Sequence, residues 1–207
     1  DEEEEEVMAW NYAIEIDSKT GFDGDSNLAT GLGASFEEFT DRWLSDSARE
    51  VINLLPSRLK HLCATNNTFT SGTPESLNTG HVLLVTRNDG SIEQPCRAIE
   101  PEQVGRASDP DDINFATATD PVFFVKDNTL DVLPTGGTVS YSEVQYPSIV
   151  GSDTSIANFP DEAERAVVIG ACIKAAEYML ANDEDVQVII PILTQLREDY
   201  KREIEGL

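Results

Sequence analysis

Two histidines, three cysteines and fourteen Lys and Arg are all that this 207-residue chain offers of the side chains that most often ligate metals, attack carbonyls or grip phosphates. Each shortage excludes something. A zinc site takes three or four His or Cys ligands at set spacings. His61 and Cys63 stand two apart, which on a helix turns them to different faces, and His81 opens a predicted strand. Cys63, Cys96 and Cys172 are odd in number and widely spaced, which argues against a disulfide framework and for free thiols that fill a core in a reducing compartment. No apolar run reaches the roughly 18 residues that a membrane span needs. No basic-then-apolar leader opens the sequence, so secretion has no support.

The signatures of catalysis are missing as well. G-x-S-x-G does not occur, and no cysteine sits in a local nucleophile signature. GLG at 31–33 lacks the rest of a phosphate loop. DGDSN at 23–27 starts like a calcium loop, but Leu28 stands where that loop needs Gly and Ala34 where it needs Glu. Asp109, Asp111 and Asp112 fall in a Pro-containing loop, where a turn or a cation-binding loop explains them as well as a catalytic pair does. The expectation is therefore no enzyme, no cofactor and no resident metal.

What is abundant is acid. Thirty-nine Asp and Glu give a formal net charge of −25. Such a surface repels nucleic acid, which is bound by neutralising phosphates with Lys and Arg. It favours solubility and basic partners. Either solubility alone, or a surface that must face DNA without gripping it, accounts for the charge. Apolar residues still make up 40%, enough for a core in one large domain or two small ones.

Residues 1–6, DEEEEE, form a like-charge block of the kind that stays solvated. In MAWNYAIEI, Met8, Trp10, Tyr12, Ile14 and Ile16 alternate with smaller or polar residues, which predicts a strand. That strand can extend the chain's own sheet or the sheet edge of another copy. Residues 17–34 are rich in Gly, Ser and Asp and read as loop. Ser35 and Glu38 then form a capping box ahead of a helix carrying Phe36, Phe39, Trp43, Leu44, Ala48, Val51, Ile52 and Leu55 at helical spacing, stopped by Pro56. SRLKHLCA continues as a short second helix with Leu59, Leu62 and Cys63 on one face.

From about residue 66 the apolar residues come in short bursts between turn formers. Strands are predicted around Phe69, over 81–86, from Ser91 after Asn88-Asp89-Gly90, and over PVFFV, LDVLP and TVSYSEVQYP, with turns at 126–128 and 135–137. Val139, Tyr141 and Glu143 share one face. Together these form one antiparallel sheet of four to six strands. The last third is helical. Asn158-Phe159-Pro160-Asp161-Glu162 supplies a start signal, and Ala163, Ala166, Val167, Gly170, Ile173 and Leu180 make a stripe rich in small residues. Ile189, Leu193, Leu196, Tyr200 and Ile204 follow helical spacing, with Pro191 as a kink or first turn.

The fold class is thus α+β: a helical bundle from the N- and C-terminal helices with an inserted antiparallel β-sheet domain. The divisions fall at 1–34, an acidic arm with a strand and a loop; 35–65, helical; 66–150, β-rich; and 151–207, helices that pack with 35–65. Candidate subunit or partner contacts are Trp10 and Tyr12 on the arm, Arg97 and Arg106 beside the irregular middle segment, Phe123, Lys126 and Asn128 on the sheet and its turn, and Lys201 and Arg202 near the end of the last helix. Ion pairing with nearby acids is the plainer role of the two arginines, and a helix dipole explains Lys201 and Arg202 equally well.

FTDRWLSDSAREVINLLP (39–56), CRAIEPEQVGRASDPDD (96–112), ATATDPVFFV with LDVLPTGG (116–137) and TSIANFPDEAERAVVIGACIKAAEYML (154–180) together give the chain a resemblance to virion structural proteins of tailed bacteriophages, those of marine and cyanobacterial phages above all. The arrangement resembles the head–tail connectors, or adaptors, of the phage neck. The resemblance implies a homo-oligomeric ring, typically twelvefold, between the portal protein and a downstream neck or tail protein. DNA would pass through the lumen without specific binding. It also implies synthesis in the host cytoplasm and a final place in the neck or tail region of the virion. No counterpart of residues 1–16 is found in small adaptors. A phage tail, baseplate or fibre-attachment binding protein is the alternative. A ring-former should show apolar or small-residue stripes on two opposite helix faces, a peripheral binder on one.

Overall fold

In the computed structural model the described residues are 11–21, 36–182 and 186–207. They divide into two units, a helical one from residues 1–62 and 146–207 and a β unit from residues 63–145.

The helical unit is organised by α5 (Asp161–Asn182), which packs against α1 (Tyr12–Thr20), α2 (Phe36–Leu54) and α6 (Val186–Gly206). From Ala166 to Cys172 every residue of α5 is buried. A helix apolar all round belongs at the centre of a bundle, and its small residues let neighbours come close. A Cβ added at Gly170 would lie 3.1 Å from the Ser47 side chain of α2. The broad small-residue face predicted for this segment exists, and the chain's own helices cover it. On α2, Trp43, Leu44, Ala48, Val51 and Ile52 are buried as their spacing predicts. Phe39, Trp43 and Tyr178 of α5 form an aromatic cluster with ring centroids 5.1 to 5.7 Å apart. The helix stops at Leu54, just ahead of Pro56. Of the short continuation, α3 (Ser57–Lys60) and a 3-10 turn (His61–Cys63), Leu59 and Cys63 are buried while Leu62 is exposed, so the three do not share one face. On α6, Ile189, Leu193 and Leu196 are buried, and Pro191 lies inside the helix.

The predicted strand over 8–16 is corrected. Residues 8–10 lie outside the described residues, and 12–20 are helical. Tyr12 and Ile16 satisfy a period of two and a period of four alike. Tertiary bonding favours the helix. Asn11 caps it by accepting from the Ile14 N–H at 3.0 Å. The Tyr12 and Ala13 N–H groups donate to the Asp153 and Gly151 carbonyls. Tyr12, Ile16 and Thr20, spaced by four, are the buried residues. Of the 17–34 loop, Asp17 to Thr20 belong to this helix; residues 22–35, including Ser35 of the expected capping box, lie outside the described residues.

The β unit holds two four-stranded sheets, and the expectation of a single sheet is corrected. One sheet has the order β1 (Ala64–Thr70), β8 (Thr138–Val144), β3 (Val82–Asn88), β4 (Glu93–Pro95), antiparallel throughout. The other has the order β2 (Glu75–Ser76), β7 (Thr129–Leu133), β6 (Val122–Lys126), β5 (Arg97–Ala98), with β5 and β6 parallel. Leu77, Val85, Leu130, Val132, Val139 and Tyr141 from both sheets form one core. The β6–β7 hairpin turns through Asp127 and Asn128, at φ 51° and 58°, as a two-residue turn requires. The next turn does something else: through Pro134–Gly137 the chain leaves one sheet and enters the other. Gly137 is forced there. Its φ is 84°, and a Cβ would meet the Asn88 carbonyl oxygen at 2.4 Å.

Candidate interaction site

Among the described residues no group of three or more His, Cys, Asp or Glu is placed to hold a metal ion, and no helix is long and apolar enough to cross a membrane. The three thiols are free. Cys63 and Cys172 are buried and Cys96 half-buried; burial pushes Cys63 and Cys96 up to about 11 and Cys172 to about 12. They are core groups and not thiolates at neutral pH. A hollow of about 520 Å³ at the start of α5 is walled by Phe159, Pro160, Asp161, Glu162 and Glu164 among others, with no base or thiol among them.

The structure brings together two of the residues marked in the sequence. Arg97 on β5 and Arg106 on α4 (Val104–Ala107) line one hollow of about 30 Å³ in the β unit, with Ile99, Gln103, Ala107 and Asn114. The juxtaposition follows from the parallel pairing of β5 with β6 and the tight turn after it. Arg97 N–H donates to the Pro121 carbonyl, Ile99 N–H to Phe123, and a 3-10 turn (Pro101–Gln103) leads into α4. Ala107 then packs with Ala116 and Val122 in a small core of its own. Both arginines are ion-paired. Arg97 Nη2 donates to Asp120 at 3.1 Å and Arg106 Nε to Asp112 at 2.9 Å. Asp112 also accepts from the backbone and side-chain nitrogens of Asn114, and these bonds, the Arg106 one foremost, hold its carboxyl down at about 2. The Asp109–Asp112 loop is therefore a turn closed on Arg106, with Asp109 accepting from the Asp111 N–H.

The other marked residues lie apart. Trp10 is outside the described residues. Tyr12 is corrected from a contact residue to a core residue. It is 1% exposed, and its hydroxyl donates to Glu164 of α5 at 3.1 Å. Burial and that carboxylate push its phenol up. Phe123 is half-buried against the core that the two sheets share, so packing accounts for it. Lys126 is exposed at the hairpin tip, where its backbone pairs with Thr129 and its side chain makes no hydrogen bond or ion pair among the described residues. Asn128 beside it donates to the Leu77 carbonyl and so fixes the turn. Lys201 and Arg202 pair along α6 with Glu205 and Asp199.

Two buried charges in the β unit were not marked as sites. Glu143 is fully buried, and its Oε1 accepts from the Thr79 N–H at 2.6 Å, the Thr79 hydroxyl at 3.1 Å and the Gly80 N–H at 3.2 Å. Arg87 is 5% exposed; its Nε donates to the Gly136 carbonyl at 3.0 Å, while its buried Nη1 has no partner among the described residues. The signal for Arg87 was its phase, two residues after inward-facing Val85.

One more feature bears on contacts. The first half of α6 is apolar beyond its buried face: Val188 is 57% exposed and Ile190 48%. Beside them Pro191, Ile192 and Leu196 line a hollow of about 420 Å³ with Lys19, Gln195 and Asp199. No protein-family model matches the chain, and no curated protein matches it.

Proposed function

We propose that this chain is a structural part of a tailed-phage neck, a subunit of a homo-oligomeric ring that joins the portal to the tail and lets DNA pass. The observation that carries the reading is α6. In a chain with a net charge of −25, this helix keeps Ile189, Leu193 and Leu196 for its own bundle while Val188 and Ile190 remain exposed. An apolar flank on the outer side of a helix is what a neighbouring copy can cover. The sequence order, a β unit set between two helical halves, agrees with the adaptor-like arrangement that the sequence resembles. The acidic balance suits a lumen that must not hold a duplex by its phosphates.

Electron micrographs and sedimentation of the purified chain, alone and with a phage portal, test this. Closed rings, or assembly on the portal, are expected. A chain that stays monomeric at every concentration and binds neither portal nor virions would overturn the reading.

One observation favours the second reading, a tail, baseplate or fibre-attachment binding protein. The small-residue face of α5 is spent inside one copy, as in a peripheral binder. Binding to a purified tail component by a strictly monomeric chain would establish that alternative.

A further inference from the structure

Only fourteen bases are spread over this chain, and two of them converge on one hollow. Asp120 and Asp112, which tether Arg97 and Arg106, are not part of its wall. The acids orient the guanidinium groups and leave the hollow itself to donors. A guanidinium has five N–H donors. The ion pair of Arg97 takes one, and that of Arg106 takes two, the second at 3.5 Å. Gln103 adds a side-chain amide, one amide N–H of Asn114 is already given to Asp112 at 2.8 Å, and Ile99 and Ala107 give the hollow apolar wall. Fork-shaped cations beside amide donors match a carboxylate. The volume of about 30 Å³ decides the size of the guest. Small-molecule pockets run to roughly 300–1,000 Å³, so the hollow takes the head of one side chain and not a metabolite.

Charge complementarity names the occupant. Asp1 to Glu6 are six consecutive acids, the longest acidic run in the sequence. Neighbouring carboxylates repel, so each gains from meeting a cation. We propose that this acidic head of one copy seats a carboxylate in the Arg97–Arg106 hollow of another copy. The two surfaces differ, so the contact is heterologous, and its repetition gives a ring where the rotation between copies closes. The inference rests on the ring reading above and gives that ring a specific joint.

The test uses three chains: the full chain, the chain without residues 1–6, and Arg97→Gln/Arg106→Gln. Sedimentation at about 50 and about 500 mM salt reads assembly. Fluorescence anisotropy reads capture of a labelled DEEEEE peptide by the shortened chain, with and without the two arginine changes. The expected result is that the peptide binds, that binding weakens with salt, and that the arginine changes cost about tenfold or more in affinity. Both altered chains lose the assembled species. Peptide affinity indifferent to the arginines overturns the proposal. So does assembly that survives both changes, and in that case the ring reading stands without this joint. A full chain that stays monomeric while capturing the peptide through the arginines overturns the ring and the second copy as occupant, leaving a carboxylate seat for a foreign partner. The shortened chain alters no described residue, so it keeps the test decisive if the arginine variant fails to fold.

Discussion

The helical unit and the β unit treat buried polarity in opposite ways. Among the described residues, the buried polar side chains of the helical unit are Thr20, Thr40 and Ser47, all neutral. Those of the β unit are Ser71, Arg87 and Glu143, two of them charged. The reason lies in the backbone. A helix satisfies its own N–H and C=O groups along its length, so α5 can fill its surroundings with Ala, Val, Ile and Gly. The strands of the β unit are short and joined by irregular loops, whose backbone groups need partners. Glu143 takes the N–H groups of Thr79 and Gly80, the Ser71 hydroxyl gives to the Val132 and Pro134 carbonyls, and Arg87 gives to Gly136. One unit is held by close approach and the other by tethers.

The sharpest way to break this contrast is Gly137→Ala. The new methyl would sit 2.4 Å from a backbone oxygen at a positive φ, so about 4 kcal/mol should be lost. Hydrogen exchange should place the loss in residues 63–145, with the fluorescence of buried Trp43, read in a Trp10→Phe background, keeping its native midpoint. Gly170→Leu is the counterpart in the helical unit. It forces a side chain against Ser47 and should cost about 3 kcal/mol, read by a lower urea midpoint of that same fluorescence. Glu143→Ala strips two loop N–H groups of their acceptor and should cost about 2–3 kcal/mol, whereas Glu143→Gln, which keeps an acceptor oxygen, should cost less. The two variants compared by denaturation isolate the tether.

Alkaline pH should weaken both units, the β unit through Cys63 and Cys96 and the helical unit through Cys172. The folded thiol of Cys172 is raised to about 12, so its contribution is complete below the ordinary thiol value and is lost as pH rises from about 8.5 towards 12. Tyr12, raised in the same direction, adds to the loss above about 10. A drop of about 2 kcal/mol between pH 8 and about 10.5 is expected, smaller in Cys172→Ala. The smallest effect should come from Arg87→Met. Its guanidinium is buried with one hydrogen bond and an unpartnered nitrogen, so an apolar replacement should be neutral or stabilise by about 1 kcal/mol. A loss above 2 kcal/mol would mean that the tether to Gly136 outweighs the cost of burying the charge.

What the sequence disclosed follows the same division. Helices α2, α5 and α6 were legible because apolar spacing and stop signals act within one segment. The β6–β7 hairpin was legible because Asp127 and Asn128 tolerate the left-handed backbone that its turn demands. Alternation identified strands but not their partners, which is why two sheets were read as one. Tyr12 and Ile16 fit two periods at once, and the carbonyls of Gly151 and Asp153, far along the chain, join the Asn11 cap in making α1 a helix. Arg97 and Arg106 stood out singly through the scarcity of bases. Their meeting depends on the pairing of Arg97 with Val122, a contact that no local pattern announces.

The central position of α5 also sets an order of events in the cell. On a ribosome, α2 emerges early, and the helix that will cover Leu44, Val51 and Ile52 is translated only after the whole of residues 63–145. Every strand of both sheets lies within that middle stretch, so it has left the exit tunnel with all its pairing partners before α5 is made. The newborn chain thus carries a middle with all its strands and an unsheltered beginning, and the sticky stripe of α2 is the part most open to aggregation until α5 arrives.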